Sequence, residues 1–79
     1  MDRAQITEKL FEIVCDFLEL DADEITMESD LREDFDADSL DMVDIIMSCE
    51  DEFHVEIPDE VLDSLVLVKD VVDYIEKNM

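Results

Sequence analysis

Ser39, between Asp38 and Leu40, is the residue whose type and position most suggest chemistry. It stands where an acidic, aperiodic stretch gives way to helical periodicity, and a serine at such a junction is exposed and within reach of another protein's active site. On residue type alone the leading role for Asp38 or Ser39 is an N-cap, whose side-chain oxygen accepts from a first-turn amide. The chain offers no machinery to make Ser39 a nucleophile. The single histidine, His54, falls beyond the predicted end of the helix that Ser39 begins, too far along to serve as its base. Cys15 and Cys49 lie among apolar neighbours and read as buried, reduced thiols rather than as a disulfide or metal pair. No catalytic or metal-ligating set is expected.

Asp34, Asp36 and Asp38 occupy the first, third and fifth places of a possible calcium loop. The sixth place is then Ser39 instead of glycine and the twelfth Ile45 instead of glutamate, so the EF-hand pattern fails. A frame starting at Asp21 fails as well, with Arg32 twelfth. Clustered carboxylates still attract cations as a charge effect.

The elements that position Ser39 follow from hydropathy. Ile6, Leu10, Ile13, Val14, Phe17 and Leu18 recur at helical spacing, with Glu8, Lys9, Glu12, Asp16 and Glu19 on the remaining circumference, which predicts a first amphipathic helix. From Glu19 to Ala37 the periodicity is lost, and Ile25, Met27, Leu31 and Phe35 predict a long loop pinned to the core. A second helix runs from Ser39 to about Phe53, its first turns carrying Asp41 and Asp44, where the helix dipole favours negative charge. Glu50, Asp51 and Glu52 oppose the dipole at its far end and predict fraying near His54. Ile57-Pro58-Asp59 reads as an extended residue, a proline and the start of a short helix to about Leu65. A turn near Val66 leads to a last helix with Val68, Val71, Val72 and Ile75 as its stripe and Tyr74 at its flank. The expected fold class is all-α: a small bundle of three main helices plus one short helix, with a long first loop, as a single domain over residues 1–79.

Charge limits the partners. Twenty-six acidic and five basic residues give a formal net charge of −21, a field that repels nucleic acid and anionic membranes and attracts basic surfaces. From Glu33 to Val68 there are thirteen acids and no Lys or Arg, so the field centres on Ser39. No apolar run approaches the roughly 18 to 20 residues that span a bilayer, and the N-terminus lacks the basic start and apolar stretch of a signal peptide. A cytoplasmic monomer is expected, without membrane insertion.

The run Asp34-Phe35-Asp36-Ala37-Asp38-Ser39-Leu40-Asp41 is followed by Met42-Val43-Asp44, then Glu50-Asp51-Glu52-Phe53, then Glu56-Ile57-Pro58-Asp59-Glu60, and finally Val71-Val72-Asp73-Tyr74-Ile75. This ordered set, covering nearly the whole chain, resembles the acyl carrier family of discrete, fatty-acid-synthesis type. The resemblance implies that Ser39 receives phosphopantetheine from coenzyme A through a separate phosphopantetheinyl transferase. It also implies that the chain is no enzyme but a carrier of acyl thioesters, serving dissociated synthesis enzymes with basic docking surfaces. A phosphate on Ser39 suits a helix N-terminus, so capping and attachment are compatible there. The second helix is then the recognition face, with Asp38, Leu40, Asp41, Met42, Asp44, Met47, Glu50 and Asp51 as candidate interface residues. Leu40, Met42 and Met47 are expected to point outward. Val43, Ile46, Ile57, Leu62 and Leu65 are expected to shelter the acyl chain. Because the chain begins at Met1 without flanking synthase domains, a discrete carrier is the expected form. Carriers for polyketide, peptide or D-alanyl transfer remain alternatives, as does a non-covalent acidic adaptor or calcium-binding module.

Two residues depart from the family pattern. Asp36 stands where glycine is usual, in a chain without any glycine, and Leu67 stands where threonine commonly caps the last helix. A positive φ at Asp36 would carry a conformational cost, and a missing cap oxygen, worth about 1 kcal/mol, predicts a looser junction at Leu67.

Overall fold

The computed structural model describes residues 2–79. Four α-helices form it: α1 (Arg3–Leu18), α2 (Ser39–Phe53), α3 (Asp59–Leu62) and α4 (Val68–Asn78). A 3-10 turn (Ala22–Glu24) interrupts the long loop between α1 and α2, and among the described residues the only extended pairing is an isolated bridge between Asp30 and Leu67. The all-α bundle of three main helices and one short one is as the periodicity predicts.

α1 begins ahead of its first apolar anchor, Ile6, because Asp2 caps it. The Gln5 N–H donates to Asp2 Oδ1 at 2.9 Å and the Asp2 N–H donates back to Gln5 Oε1 at 3.1 Å. With no glycine available, the helix C-termini turn on other residues: Glu19 closes α1 with φ 55° and His54 closes α2 with φ 56°, both left-handed.

α1 packs on both α2 and α4. Arg3, at the start of α1, pairs with Asp73 (2.7 Å) and Glu76 (3.1 Å) in the second half of α4, while Lys9 reaches Glu52 near the end of α2 at 3.3 Å. The start of α1 therefore lies against the second half of α4, and its middle against the end of α2. The carboxylates, Asp73 first, raise the Arg3 pKa above its ordinary value. Ile6, Leu10 and Val14 of α1 meet Met42, Ile45, Ile46, Cys49 and Phe53 of α2 and Val68, Val71, Val72 and Ile75 of α4 in one core. Ile25 and Leu31 from the long loop are buried in it, with Met27 and Phe35 packed against it. Phe17 departs from the predicted stripe. It lies 43% exposed although helical spacing puts it on the face of Ile6, Leu10 and Val14, and it stands one residue before the end of α1.

The cysteines also differ from one another. Cys49 is buried, and burial, with Glu50 adding to it, pushes its thiol pKa up to about 12. Cys15 is only half-buried, at the edge of α1 rather than within the core, and partial burial with Asp16, Asp21 and Glu24 nearby raises its pKa too.

The α4 junction is tighter than Leu67 suggests. Leu67 has no cap oxygen, but its N–H donates to Asp70 Oδ2 at 3.0 Å. The Val68 and Lys69 N–H groups donate to the backbone carbonyls of Ser29 and Met27, both at 2.9 Å. The long loop thus supplies the acceptors that a threonine would have provided in part, and in doing so ties itself to α4.

Candidate functional site

Ser39 is the first residue of α2, and the cap belongs to Asp38. The Asp41 N–H donates to Asp38 Oδ1 at 2.9 Å and the Asp38 N–H donates to Asp41 Oδ2 at 3.3 Å, a reciprocal capping box. The Met42 N–H donates to the Asp38 carbonyl at 3.0 Å. This leaves the amides of Ser39 and Leu40 without partners among the described residues, and the Ser39 hydroxyl exposed and unbonded. Two residues before the cap, Asp36 holds φ 56°, the left-handed conformation for which glycine would be the easier residue. The turn beginning at Leu31 is closed by the Ala37 N–H donating to the Leu31 carbonyl at 3.3 Å.

The four serines of the chain differ sharply in their surroundings. Ser29 is 7% exposed, and its Oγ accepts from the Thr26 N–H at 3.0 Å. Ser48 is half-buried in the middle of α2. Ser64 donates its hydroxyl to the Val61 carbonyl at 2.7 Å. Ser39 alone combines an exposed, unengaged hydroxyl with a helix N-terminus. His54 caps the opposite end of α2, fifteen residues on, which is roughly 22 Å along a helix axis, so it cannot act on Ser39.

The outward face of α2 carries Leu40 (75% exposed), Val43 (38%) and Met47 (59%), with Asp44 and Asp51 also exposed. These lie at helical spacing on one side of the helix. Met42 corrects the expectation for this face: it is 1% exposed, aligned with Ile45, Ile46, Cys49 and Phe53, and belongs to the core. Val43 corrects the expectation in the opposite direction, since the residue assigned to the sheltered interior lies with Leu40 and Met47. The reason is the advance of about 100° per residue, which sends neighbouring apolar residues to different faces. Ile46, Ile57 and Leu65 are buried, and Leu62 is half-buried at the edge of the core. Glu50 differs from the exposed acids of this face. It is half-buried, and the Ile57 N–H donates to its Oε2 at 2.9 Å. No group of side chains able to hold a metal ion is found among the described residues, and none of their helices is long and apolar enough to cross a membrane.

A family profile described as "Phosphopantetheine attachment site" matches residues 8–75. This chain belongs to the acyl carrier protein family. It is 47% identical over 75 residues to an acyl carrier protein of Rubrobacter xylanophilus, covering 95% of this chain and 93% of that one. It is 44% identical to one of Thermosynechococcus vestitus, covering 100% and 98% of the two chains. Among solved structures, the thermally stable acyl carrier protein of Enterococcus faecalis superposes with a TM-score of 0.86 at 32% identity, each chain covered in full. As an acyl carrier protein the chain bears phosphopantetheine covalently, carries acyl groups on it, and is a carrier acted on by a phosphopantetheinyl transferase and by synthesis enzymes rather than a catalyst.

Proposed function

We propose that Ser39 is the residue to which phosphopantetheine is attached, and that the chain serves dissociated fatty acid synthesis enzymes as a monomeric, cytoplasmic carrier comprising one domain over residues 1–79. The observation that carries the assignment is the state of Ser39: exposed, with a free hydroxyl, beside two unpartnered amides at the start of α2. Because Asp38 takes the capping role, the Ser39 oxygen is left to bond elsewhere. The Ser39 and Leu40 N–H groups favour a phosphodiester anion at that oxygen. The bound arm supplies the terminal thiol on which an acyl group is held as a thioester.

The docking face consists of Leu40, Val43 and Met47 with Asp38, Asp41, Asp44 and Asp51 around them. Flexible methionine beside carboxylates suits a surface that meets several basic partners in turn. Ile46, Ile57, Leu62 and Leu65 form the apolar ground beneath which an acyl chain is sheltered. The attachment is tested by incubating wild type and Ser39→Ala with coenzyme A, magnesium and a phosphopantetheinyl transferase and weighing both. Wild type gains the mass of one phosphopantetheine and the variant gains none. A modified variant overturns the assignment.

A further inference from the structure

Glu50 lies one turn before the end of α2, and its carboxylate leaves the helix to accept the N–H of Ile57, seven residues later, at 2.9 Å. Between them the chain reverses at His54, buries Val55, exposes Glu56 and buries Ile57. The Ile57 amide has no sheet or helix partner, so without Glu50 a largely buried donor would be left unsatisfied. A second tie comes from α4, where the Tyr74 hydroxyl donates to the Glu56 carbonyl at 3.3 Å. The connection is thus held from both long helices that flank it.

The placement of α3 depends on this connection. α3 has four residues, begins after Pro58 without a side-chain cap and has no extensive helix partner. A helix so short has little stability of its own, so its place over the core is set by its two ends. Its near end is the segment that Glu50 fixes. Ile57, Leu62 and Leu65 lie along this segment, and Ile46 lies on α2 one turn before Glu50.

We infer that Glu50 is a positioning residue that latches the α2–α3 connection, and that this latch governs how well a carried acyl chain is shielded from water. The inference rests on the reading of Ile46, Ile57, Leu62 and Leu65 as the acyl shelter. It removes Glu50 from the docking charges: the carboxylate acts inward, through the backbone of Ile57, on the segment that covers the chain.

The experiment uses the full chain bearing phosphopantetheine, loaded in parallel with octanoyl and acetyl groups. Glu50→Gln keeps a carbonyl able to accept the Ile57 N–H, while Glu50→Met fills similar space without an acceptor. Two quantities are read below each variant's unfolding midpoint: hydrogen exchange at the Ile57 amide, and alkaline hydrolysis of the thioester. In Glu50→Met, exchange at Ile57 rises by about tenfold or more, as expected for loss of a hydrogen bond to a charged acceptor. Hydrolysis of the octanoyl thioester rises toward that of the acetyl form, and acetyl hydrolysis itself stays unchanged, because an acetyl group is too short to be sheltered. Glu50→Gln stays close to wild type in both. If Glu50→Met does not fold, Tyr74→Phe removes the second tie and gives a smaller acceleration with the same chain-length dependence. Unchanged Ile57 exchange in Glu50→Met, or a Gln variant as exposed as the Met variant, overturns the latch. Equal hydrolysis of octanoyl and acetyl forms in wild type overturns the shelter itself, independently of Ile57 exchange.

Discussion

Asp36 holds a left-handed backbone with φ 56° two residues before the α2 cap, in a turn that ends at Ala37 and delivers Ser39 to the helix N-terminus. A side chain with a Cβ resists this conformation, aspartate less than most, and glycine accepts it freely. Asp36→Gly is therefore expected to stabilise the fold by a few tenths to about 1 kcal/mol, after allowing for the greater freedom of glycine in the unfolded chain. In a domain of this size that raises the unfolding midpoint by a few degrees. Removing a carboxylate from a strongly acidic region would stabilise too, so Asp36→Ala is the control. It removes the charge but keeps the Cβ, and should gain less than Gly or lose stability. Equal gains from Gly and Ala would assign the effect to charge and leave the φ argument without support. The need for positive φ was legible only through the family resemblance, because Asp36 stands where glycine is usual. The division of labour between Asp38 and Ser39 was not, since either side chain can cap and only the geometry gives the role to Asp38.

On α2 the boundary between core and docking face runs between adjacent residues. Met42 is 1% exposed and Met47 is 59% exposed, so identical truncations should have opposite consequences. Met42→Ala empties core volume and is expected to cost about 2–5 kcal/mol, a large part of the stability of a small domain. Met47→Ala is expected to shift stability by no more than about 0.5 kcal/mol while slowing phosphopantetheine loading through lost contact area at every salt concentration. Denaturant melts beside loading rates decide this. Comparable destabilisation by the two variants would contradict the face assignment. Helical spacing placed α1, α2 and α4 and most of the core, because Ile6, Leu10, Val14 and Val68, Val71, Val72, Ile75 repeat cleanly. It failed at Met42 and Val43, where consecutive apolar residues fit either face and only packing separates them. It also missed the inward turn of Glu50 and the Met27 and Ser29 carbonyls at the start of α4. Those are bonds between a helix and a distant backbone, and hydropathy carries no signal for them.

Across the whole molecule, a net charge of −21 is confined within principal extents of 27 × 26 × 19 Å. Arg3, Lys9 and Lys69 meet carboxylates, but these pairs are largely exposed and contribute little. Most carboxylates therefore have no cationic partner among the described residues. Such a field acts on two processes with opposite sign: it pushes the compact state apart, and it draws a basic partner in. The Debye length is about 10 Å at 0.1 M salt, shorter than any dimension of the molecule, so modest ionic strength weakens both effects. Salt should raise the unfolding midpoint, and millimolar magnesium or calcium should raise it further by condensing on clustered carboxylates. Over the same range the association rate with a basic transferase should fall, since electrostatic steering acts mainly on encounter. Lysine at Asp44 or Asp51, which lie exposed on α2 without hydrogen-bond partners among the described residues, should lessen both salt dependences together. Midpoints and association rates measured across one salt series test the common origin. A midpoint that stays flat or falls as the association rate drops would show that self-repulsion does not limit this fold, and that steering alone accounts for the concentration of acid around Ser39.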